Sequence, residues 1–230
     1  IVGAALEVSG QSLPLAVLAP WLPEKVSTNF ALDATLARLL LAADWQGDTI
    51  TVPVLEAELA GGRLTASGTY QLEQGDLQAS GQWSNLDPLP FWRGADARLW
   101  SGATNGRLTV NGNSKTNVWQ GQASVQAGQA RVYGVPAAAL TADLHLLPGE
   151  TVAGTASGNL AGGSFFASAQ VSPAALSGHL EAAGVQIEQL AAPFGLRAGG
   201  TGRLTADVGG TPALPRAAVE LAAQDGQVQV

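Results

Sequence analysis

The chain has no cysteine and no methionine among its 230 residues, and only 13% of its residues are charged. Without cysteine there can be no disulfide framework, no thiolate nucleophile and no cysteine-based metal site. Ordinary globular domains carry about 25% charged residues, so the composition indicates apolar surface built from small side chains. It also argues against disorder, which requires low hydrophobicity with high net charge.

The net charge is −7, and the basic residues form no run. A phosphate-binding surface needs clustered basic side chains, so nucleic acid is not an expected partner. The acidic balance also disfavours adsorption to anionic membranes through a basic patch, but it does not oppose the binding of acyl chains.

Long hydrophobic runs are absent as well. A transmembrane helix needs about 18 to 20 consecutive apolar residues, whereas the densest apolar stretch, residues 37–43, contains Arg38 and is followed by Asp44. No signal peptide is recognisable. Because the chain lacks Met and both its ends fall within repeat elements, we expect it to be part of a longer protein.

What the chain does contain is a repeated strand motif. The tetrapeptide Gly-Arg-Leu-Thr begins at Gly62, Gly106 and Gly202. Each copy alternates polar and apolar residues. This is the period of a strand with one polar face exposed to water and one apolar face, which we call the dry face. Recurrence of this kind is the signature of a repeat architecture.

A second sequence match sets the repeat length. Leu-Ala-Gly-Gly at residues 59–62 returns 101 residues later, at residues 160–163. The unit is therefore about a hundred residues long, with small insertions and deletions in the connections, as surface loops allow. We place approximate repeat units at 1–58 (partial), 59–159 and 160–230 (partial).

Alternating strands are predicted over nearly all of the remaining chain. Links such as residues 73–76 are too short for parallel crossovers, so we expect mostly antiparallel pairing. Residues 32–40 have leucines at helical spacing, but we assign strands at 29–36 and 39–45. The residues predicted to share the dry faces include Ile50, Val52, Val54, Leu64, Ala66, Gly68, Tyr70, Leu72, Trp119, Gly121, Ala123, Val125, Ala127, Leu140, Ala142, Leu144 and Leu146.

Three proline-bounded apolar segments interrupt the strands, at residues 13–23, 86–92 and 187–194. Because proline fixes φ and removes a hydrogen-bond donor, these segments are predicted to be short helical turns or loops. Aromatic side chains cluster in or beside them, and they could plug one end of a core or form a ligand-contacting gate. These aromatic residues are Trp21, Trp83, Phe91, Trp92 and Phe194.

The predicted fold class is all-β: an elongated, mostly antiparallel repeat sheet curled into a groove, with short Pro-bounded helical turns. Ala, Gly, Val and Leu dominate the dry face. A closed two-sheet core would have to bring its sheets unusually close to pack such small residues, whereas a curled sheet leaves room for something linear and apolar. Extensive exposed apolar area normally marks a binding site.

Motifs for catalysis or metal binding are not found. His145 lies on the polar face of one strand and His179 begins another, and both are interpreted as solvent-facing. Two distant histidines without cysteine do not predict a transition-metal cluster. The Gly-rich stretches 154–158 and 199–202 lie outside any βαβ unit, so they are not nucleotide loops. We expect no catalytic residues, no metal and no cofactor.

The tandem Gly-x-Leu-x-Ala/Val strands and the segments of type Leu-x-x-Leu-x-Pro resemble the C-terminal repeat region of the TamB family, within the AsmA-like proteins of double-membraned bacteria. The resemblance covers essentially the whole chain. It implies a long periplasmic protein with an inner-membrane anchor outside this segment, whose repeats roll into a taco-like β-structure with a hydrophobic interior. It also implies phospholipid transport and outer-membrane assembly, with assembly proteins of the BamA and TamA type as partners.

The leading hypothesis is therefore a segment of a hydrophobic β-groove that shields phospholipid acyl chains between the two membranes. The alternative is a ligand-free structural or adhesive β-solenoid or sandwich of a cell-surface protein. A carbohydrate-active β-helix has less support, because neither clustered acids nor an aromatic sugar platform can be found. The predicted groove-lining residues are Leu64, Ala66, Tyr70, Leu108, Val110, Val125, Leu144, Phe165, Leu204 and Val208.

Overall fold

The structure is a computed structural model that describes residues 3–14, 35–59, 61–89, 98–224 and 227–228. It divides into two compact units. The first comprises Ile1–Ala97 with Ala103–Gly121, and the second comprises Arg98–Gly102 with Gln122–Val230.

The first unit is a β-sheet whose strands lie side by side in sequence order. Its strands are β1 (Gly3–Pro14), β2 (Thr35–Gln46), β3 (Thr49–Leu59), β4 (Gly62–Gln71), β5 (Asp76–Leu86), β6 (Thr104–Asn113) and the beginning of β7 (Val118–Val132).

The second unit continues in the same way, with two very short strands forming a separate pair. The rest of β7 is followed by β8 (Val135–Leu147), β9 (Thr151–Leu160), β10 (Gly163–Val171), β11 (Leu176–Gln186), β13 (Thr201–Thr211) and β14 (Leu214–Ala223). The separate pair is β12 (Ala198–Gly199) with β15 (Gln227–Val228).

These pairings confirm the predicted all-β, antiparallel fold class. Each strand pair whose register is known is antiparallel. His179 is the fourth residue of β11 rather than its first, because pairing with β10 already begins at Leu176. No helix in the described part of the chain is long and apolar enough to span a membrane.

One proline-bounded segment is a short helical turn, as predicted. Residues 187–194 form helix α1 (Ile187–Ala191) and a 3₁₀ turn, Ala192–Phe194, which ends at Gly195 in the left-handed conformation. Of the other two segments, residues 13–14 end β1 and residue 86 ends β5. Residues 15–23 and 90–92 lie outside the described residues.

The leucines at helical spacing belong to a strand that contains an irregularity. Thr35–Gln46 is one continuous strand, so the predicted break between two strands is wrong. Its register against β3 shifts between Leu36 and Arg38. A bulge of this kind puts an extra residue on one strand, so Leu36 and Leu39, three positions apart, are both buried on one face.

A second bulge changes which residues of β3 lie on the apolar face. Ile50, Val52 and Val54 were expected to share a face, but the β3–β4 register shifts between Val52 and Leu55. Leu55, instead of Val54, therefore continues the apolar side of the strand opposite Ala66, while Val54 is exposed. Pro53 lies at this irregularity, where its missing N–H is tolerated.

Each unit has its core at one end of its strands. In the first unit Leu36, Leu39, Ala57 and Leu59 form a buried cluster. In the second, the buried residues are Val135, Ala161, Ala182 and Val185. Both clusters gather where hairpin turns bring neighbouring strands together.

The sheet curves toward its apolar side in both units. A Cβ atom placed on Gly68 would lie 3.3 Å from the Cβ of Ala79, and one on Gly178 would lie 3.5 Å from that of Ala169. Directly opposed Cβ atoms in an ordinary antiparallel sheet are about 4.5 to 5.5 Å apart. Side chains on this face therefore converge, and glycine and alanine provide the room for that convergence.

The contacts of Gly-Arg-Leu-Thr at residues 62–65 explain its composition. Gly62 is buried against the backbone of Asn85 and Leu86. Arg63 donates to Glu56 on β3 at 2.7 Å, and Leu64 packs against the buried cluster. The motif thus combines a close backbone approach, a cross-strand ion pair and a core contact.

Substituting this glycine tests the close approach. A Cβ on Gly62 would lie 2.6 Å from the carbonyl oxygen of Asn85, which is backbone and cannot rotate away. We expect Gly62→Ala to lower the free energy of unfolding by about 2 kcal/mol, measured by urea denaturation. The control Gly128→Ala in β7 meets nothing within 4 Å and should change stability by less than about 0.5 kcal/mol. Equal effects of the two substitutions would contradict this account.

Candidate functional site

Apolar side chains form unbroken rows across the strands of the first unit. The strand register places directly opposed residues next to one another, and alternation keeps each row on one face. We call the side of each sheet that carries these rows the apolar face. One row runs through Leu41, Leu55, Ala66, Gly81 and Leu108, and the next through Leu39, Ala57, Leu64, Trp83 and Gly106.

The second unit repeats this arrangement over six strands, β8 to β11, β13 and β14. Six strands at about 4.8 Å spacing extend about 24 Å. No polar side chain interrupts its rows. One row contains Ala142, Ala156, Ala167, Leu180, Ala206 and Val219, and its neighbour contains Leu144, Gly154, Ala169, Gly178, Val208 and Ala217.

The predicted groove-lining residues divide between the two units. Five of them come together on the apolar face of the first unit and five belong to the second. None of the ten is fully buried. In the first unit they are Leu64, Ala66, Tyr70, Leu108 and Val110; in the second they are Val125, Leu144, Phe165, Leu204 and Val208.

Exposure changes along the strands of this face. Leu64 and Leu204 pack against the buried clusters at one end of their units. Leu108 and Leu144 remain 41% and 40% exposed. Each apolar face therefore has a closed end, where hydrophobic residues are buried, and an open part that a ligand could contact.

Helix α1 covers the closed end in the second unit. Ile187 is buried, and Leu190 packs against the buried cluster. Phe194 is 64% exposed and therefore does not plug the core. Trp83 is partly buried, and its Nε1 donates to Thr104 Oγ1 at 3.0 Å. The other three aromatic residues of the proline-bounded segments lie outside the described residues.

Aromatic side chains with anchored polar atoms mark the open end of the first unit. Trp45, Ile50 and Tyr70 are adjacent in one row. Trp45 Nε1 donates to the carbonyl of Gly47 at 2.8 Å, and the Tyr70 hydroxyl lies 2.9 Å from Ser114 Oγ.

The same arrangement recurs beside this row in β7. The Trp119 ring lies against Gly112, and its Nε1 donates to Asn117 Oδ1 at 3.1 Å. Tryptophan and tyrosine favour places where an apolar surface meets water. We call Trp45, Tyr70 and Trp119 the aromatic rim. Tyr70 was among the predicted groove-lining residues and Trp119 was predicted to lie on a dry face, but neither tryptophan was predicted to line the groove, although Trp-Gln-Gly recurs at residues 45–47 and 119–121.

The opposite face carries charged residues, and one connected group of them surrounds His179. The Nδ1 of His179 lies 2.7 Å from Asp207 Oδ1, and its Nε2 lies 3.2 Å from Glu181 Oε1. Arg203 donates to the other oxygen of Glu181 at 3.2 Å. Four side chains, those of His179, Glu181, Arg203 and Asp207, are thus joined across β11 and β13, whereas the sequence predicted only that His179 faces solvent.

Hydrogen bonding to carboxylates raises the pKa of His179 above its usual 6.5, with Asp207 as the largest cause and Glu181 next. The pKa of Glu181 is lowered from 4.5, first by its hydrogen bond with His179 and then by Arg203. The His179 contribution to stability is present below pH 6.5 and is lost as pH rises through its folded pKa. The Glu181 contribution is present above pH 4.5 and is lost as pH falls.

His179 and Asp207 line a hollow of about 550 Å³ whose lining also includes Ser168. Ser168 is directly opposite His179 in the sheet. Both histidine nitrogens are directed at carboxylates, so neither is aimed at the serine hydroxyl as a general base would be. Among the residues that the structure describes, no group of three or more His, Asp or Glu side chains is placed to hold a metal ion.

Comparison with known proteins identifies no relative. No family model, no curated protein and no solved structure matches the chain.

The histidine network makes a direct prediction for titration. We expect the pKa of His179, measured by NMR, to lie above 6.5 in the unsubstituted protein and to fall in Asp207→Asn, because a neutral amide stabilises imidazolium less. Asp143→Asn, on the same face but several strands away, is the control and should leave the titration unchanged. An identical midpoint in Asp207→Asn would show that the 2.7 Å contact does not form in solution.

Proposed function

We propose that this chain is a segment of a hydrophobic groove that binds phospholipid acyl chains and shields them from water during transfer through the cell envelope. The proposed mechanism is non-enzymatic. Acyl chains would lie on the apolar face, and polar head groups would remain at its open end.

The observation that carries this proposal is the continuity of the apolar rows within each unit. A path for a linear apolar molecule needs every strand to present an apolar residue at the same level, and a ligand-free structural sheet tolerates polar interruptions. Burial of apolar surface stabilises by roughly 25 cal/mol per Å². Many small contacts along a row would therefore bind an acyl chain without any single essential residue.

The aromatic rim supports the proposed position of the head groups. Trp45 and Tyr70 combine rings on the apolar face with polar atoms anchored at the turns. Such side chains suit a boundary between hydrocarbon and water. The curvature toward the apolar face adds to this argument, because it brings the rows around a bound chain.

The resemblance to the TamB family leads to the same proposal and extends it. On that basis we propose a periplasmic location, an inner-membrane anchor elsewhere in a longer protein, and a contribution to outer-membrane assembly with partners of the BamA and TamA type. The chain itself is expected to contact the lipid and not to catalyse its modification.

A matched pair of substitutions in β6 tests the lipid-binding surface. Leu108 lies on the apolar face and its neighbour Thr109 lies on the polar face, where it is opposite Ser80. Leu108→Asp would place a carboxylate in the proposed acyl path, where its desolvation is costly. We expect it to weaken binding of a fluorescent long-chain fatty acid about ten-fold, measured by fluorescence titration.

Thr109→Asp is the control and should bind the fatty acid as the unsubstituted protein does. Because Leu108 is already 41% exposed, circular dichroism should show that both variants remain folded. Equal losses in the two variants would contradict an apolar binding face. A folded protein that takes up neither fatty acid nor phospholipid would favour the ligand-free structural module.

A further inference from the structure

A hollow of about 670 Å³ in the second unit lies where residues 101–102 pack against β7. Ser101 pairs there with Arg131 through two backbone hydrogen bonds of 2.9 and 2.8 Å. Residues of β8 and β9 contribute to the rest of the lining. We propose that this hollow binds a phosphate group, carried either by a small soluble molecule or by a lipid head group.

The hollow is positively charged although the chain is acidic. The whole chain has 18 acidic and 11 basic residues. Among the residues that the structure describes, Arg131 is the one charged member of the lining, and no Asp or Glu belongs to it. A concave site with a guanidinium and no carboxylate attracts an anion.

The hydrogen-bonding groups of the hollow favour phosphate over carboxylate. Arg131 Nη1 donates to the carbonyl of Gly134 at 3.1 Å, which uses one of the five N–H groups of a guanidinium. In the part of the chain that the structure describes, the side chains of Ser101, Gln129 and Asn159 form no hydrogen bond. A carboxylate offers two oxygens to these four side chains, whereas a phosphate monoester offers three. Arginine also binds phosphate through two parallel hydrogen bonds.

These polar side chains lie on the polar face of the sheet. Asn159 precedes Leu160, which packs against the buried cluster, so alternation directs Asn159 to the other side. Gln129 and Arg131 are exposed on either side of buried Ala130, so they also face away from the core. The phosphate site is therefore separate from the apolar face proposed for acyl chains, and the two proposals can fail independently.

The repeat shows that the arginine is not needed for the local fold. Gly128-Gln129 matches Gly226-Gln227, 98 residues later, and in this match Gln229 takes the place of Arg131. The antiparallel pairing of residues 101 and 131 has its counterpart in the pairing of β12 with β15. This pairing forms in the repeat whose sequence has glutamine at the matching position, so it does not require an arginine.

The match supplies the variant that tests the site. We expect inorganic phosphate, titrated into the 230-residue chain, to shift the NMR signals of the Arg131 guanidinium and the Asn159 side-chain amide in a saturable way. Arg131→Gln should weaken binding at least ten-fold, because the charged donor is lost. Asn159→Asp, which keeps the size of the side chain but adds a carboxylate, should weaken it as well.

Arg216→Gln in β14 is the matched control. It removes the same charge from the polar face several strands away, so phosphate should bind as in the unsubstituted chain. Sodium acetate at equal ionic strength should bind more weakly than phosphate. The proposal is overturned by the absence of a saturable shift, by unchanged binding in Arg131→Gln, by an equal loss in Arg216→Gln, or by equal binding of acetate.

Flotation with phosphatidylglycerol vesicles distinguishes the two sources of the phosphate. Flotation that is lost in Arg131→Gln and kept in Arg216→Gln assigns the site to a lipid head group, and phosphate binding without flotation assigns it to a soluble molecule. Uptake of a fluorescent fatty acid should be unchanged in Arg131→Gln, since the acyl chain is proposed to lie on the other face. A parallel loss of phosphate binding and fatty-acid uptake in this variant would contradict a separate site.

Discussion

The cross-strand register of the antiparallel hydrogen-bond ladder is the constraint on which the rest of this protein depends. Each hydrogen-bonded pair fixes which side chains are neighbours, and a shift of one residue would move every side chain to the other face. With the observed register, Leu55, Ala66 and Leu108 are aligned across β3, β4 and β6. Bulges in β2 and β3 preserve this alignment where the sequence pattern departs from strict alternation.

The two faces of the sheet are stabilised in different ways. On the polar face, long side chains pair across strands, as Arg63 does with Glu56 and Arg203 with Glu181. Such exposed ion pairs contribute little stability, but they place opposite charges next to each other on neighbouring strands. On the apolar face, small residues allow the side chains to converge, and the hydrophobic cluster at one end of each unit supplies most of the burial.

This division explains how a folded sheet can retain an open apolar surface. The closed end holds each unit together through residues such as Leu36 and Val185, which are almost completely buried. The remaining rows are then available for binding, because they are not needed to complete the core. The proposed lipid groove uses an apolar face of this kind, which the fold leaves exposed.

Alternation with a period of two determined much of the fold from the sequence alone. It predicted the all-β class and the apolar face of most strands, although not the position of Val54, because the direction of a side chain in a strand depends on local backbone geometry. The antiparallel pairing was predicted from the short links between strands. The proline-bounded turn at residues 187–194 was predicted for the same local reason, since proline restricts its own backbone.

Only the tertiary structure decided which strands bulge, where the core lies and which charged residues meet. Leu36 and Leu39 are spaced as in a helix, and their shared face follows from a register shift against β3. His179 and Asp207 are 28 residues apart and adjoin because β11 pairs with β13. Pairing between distant strands follows from the energy of the whole sheet, so no local sequence period encodes it.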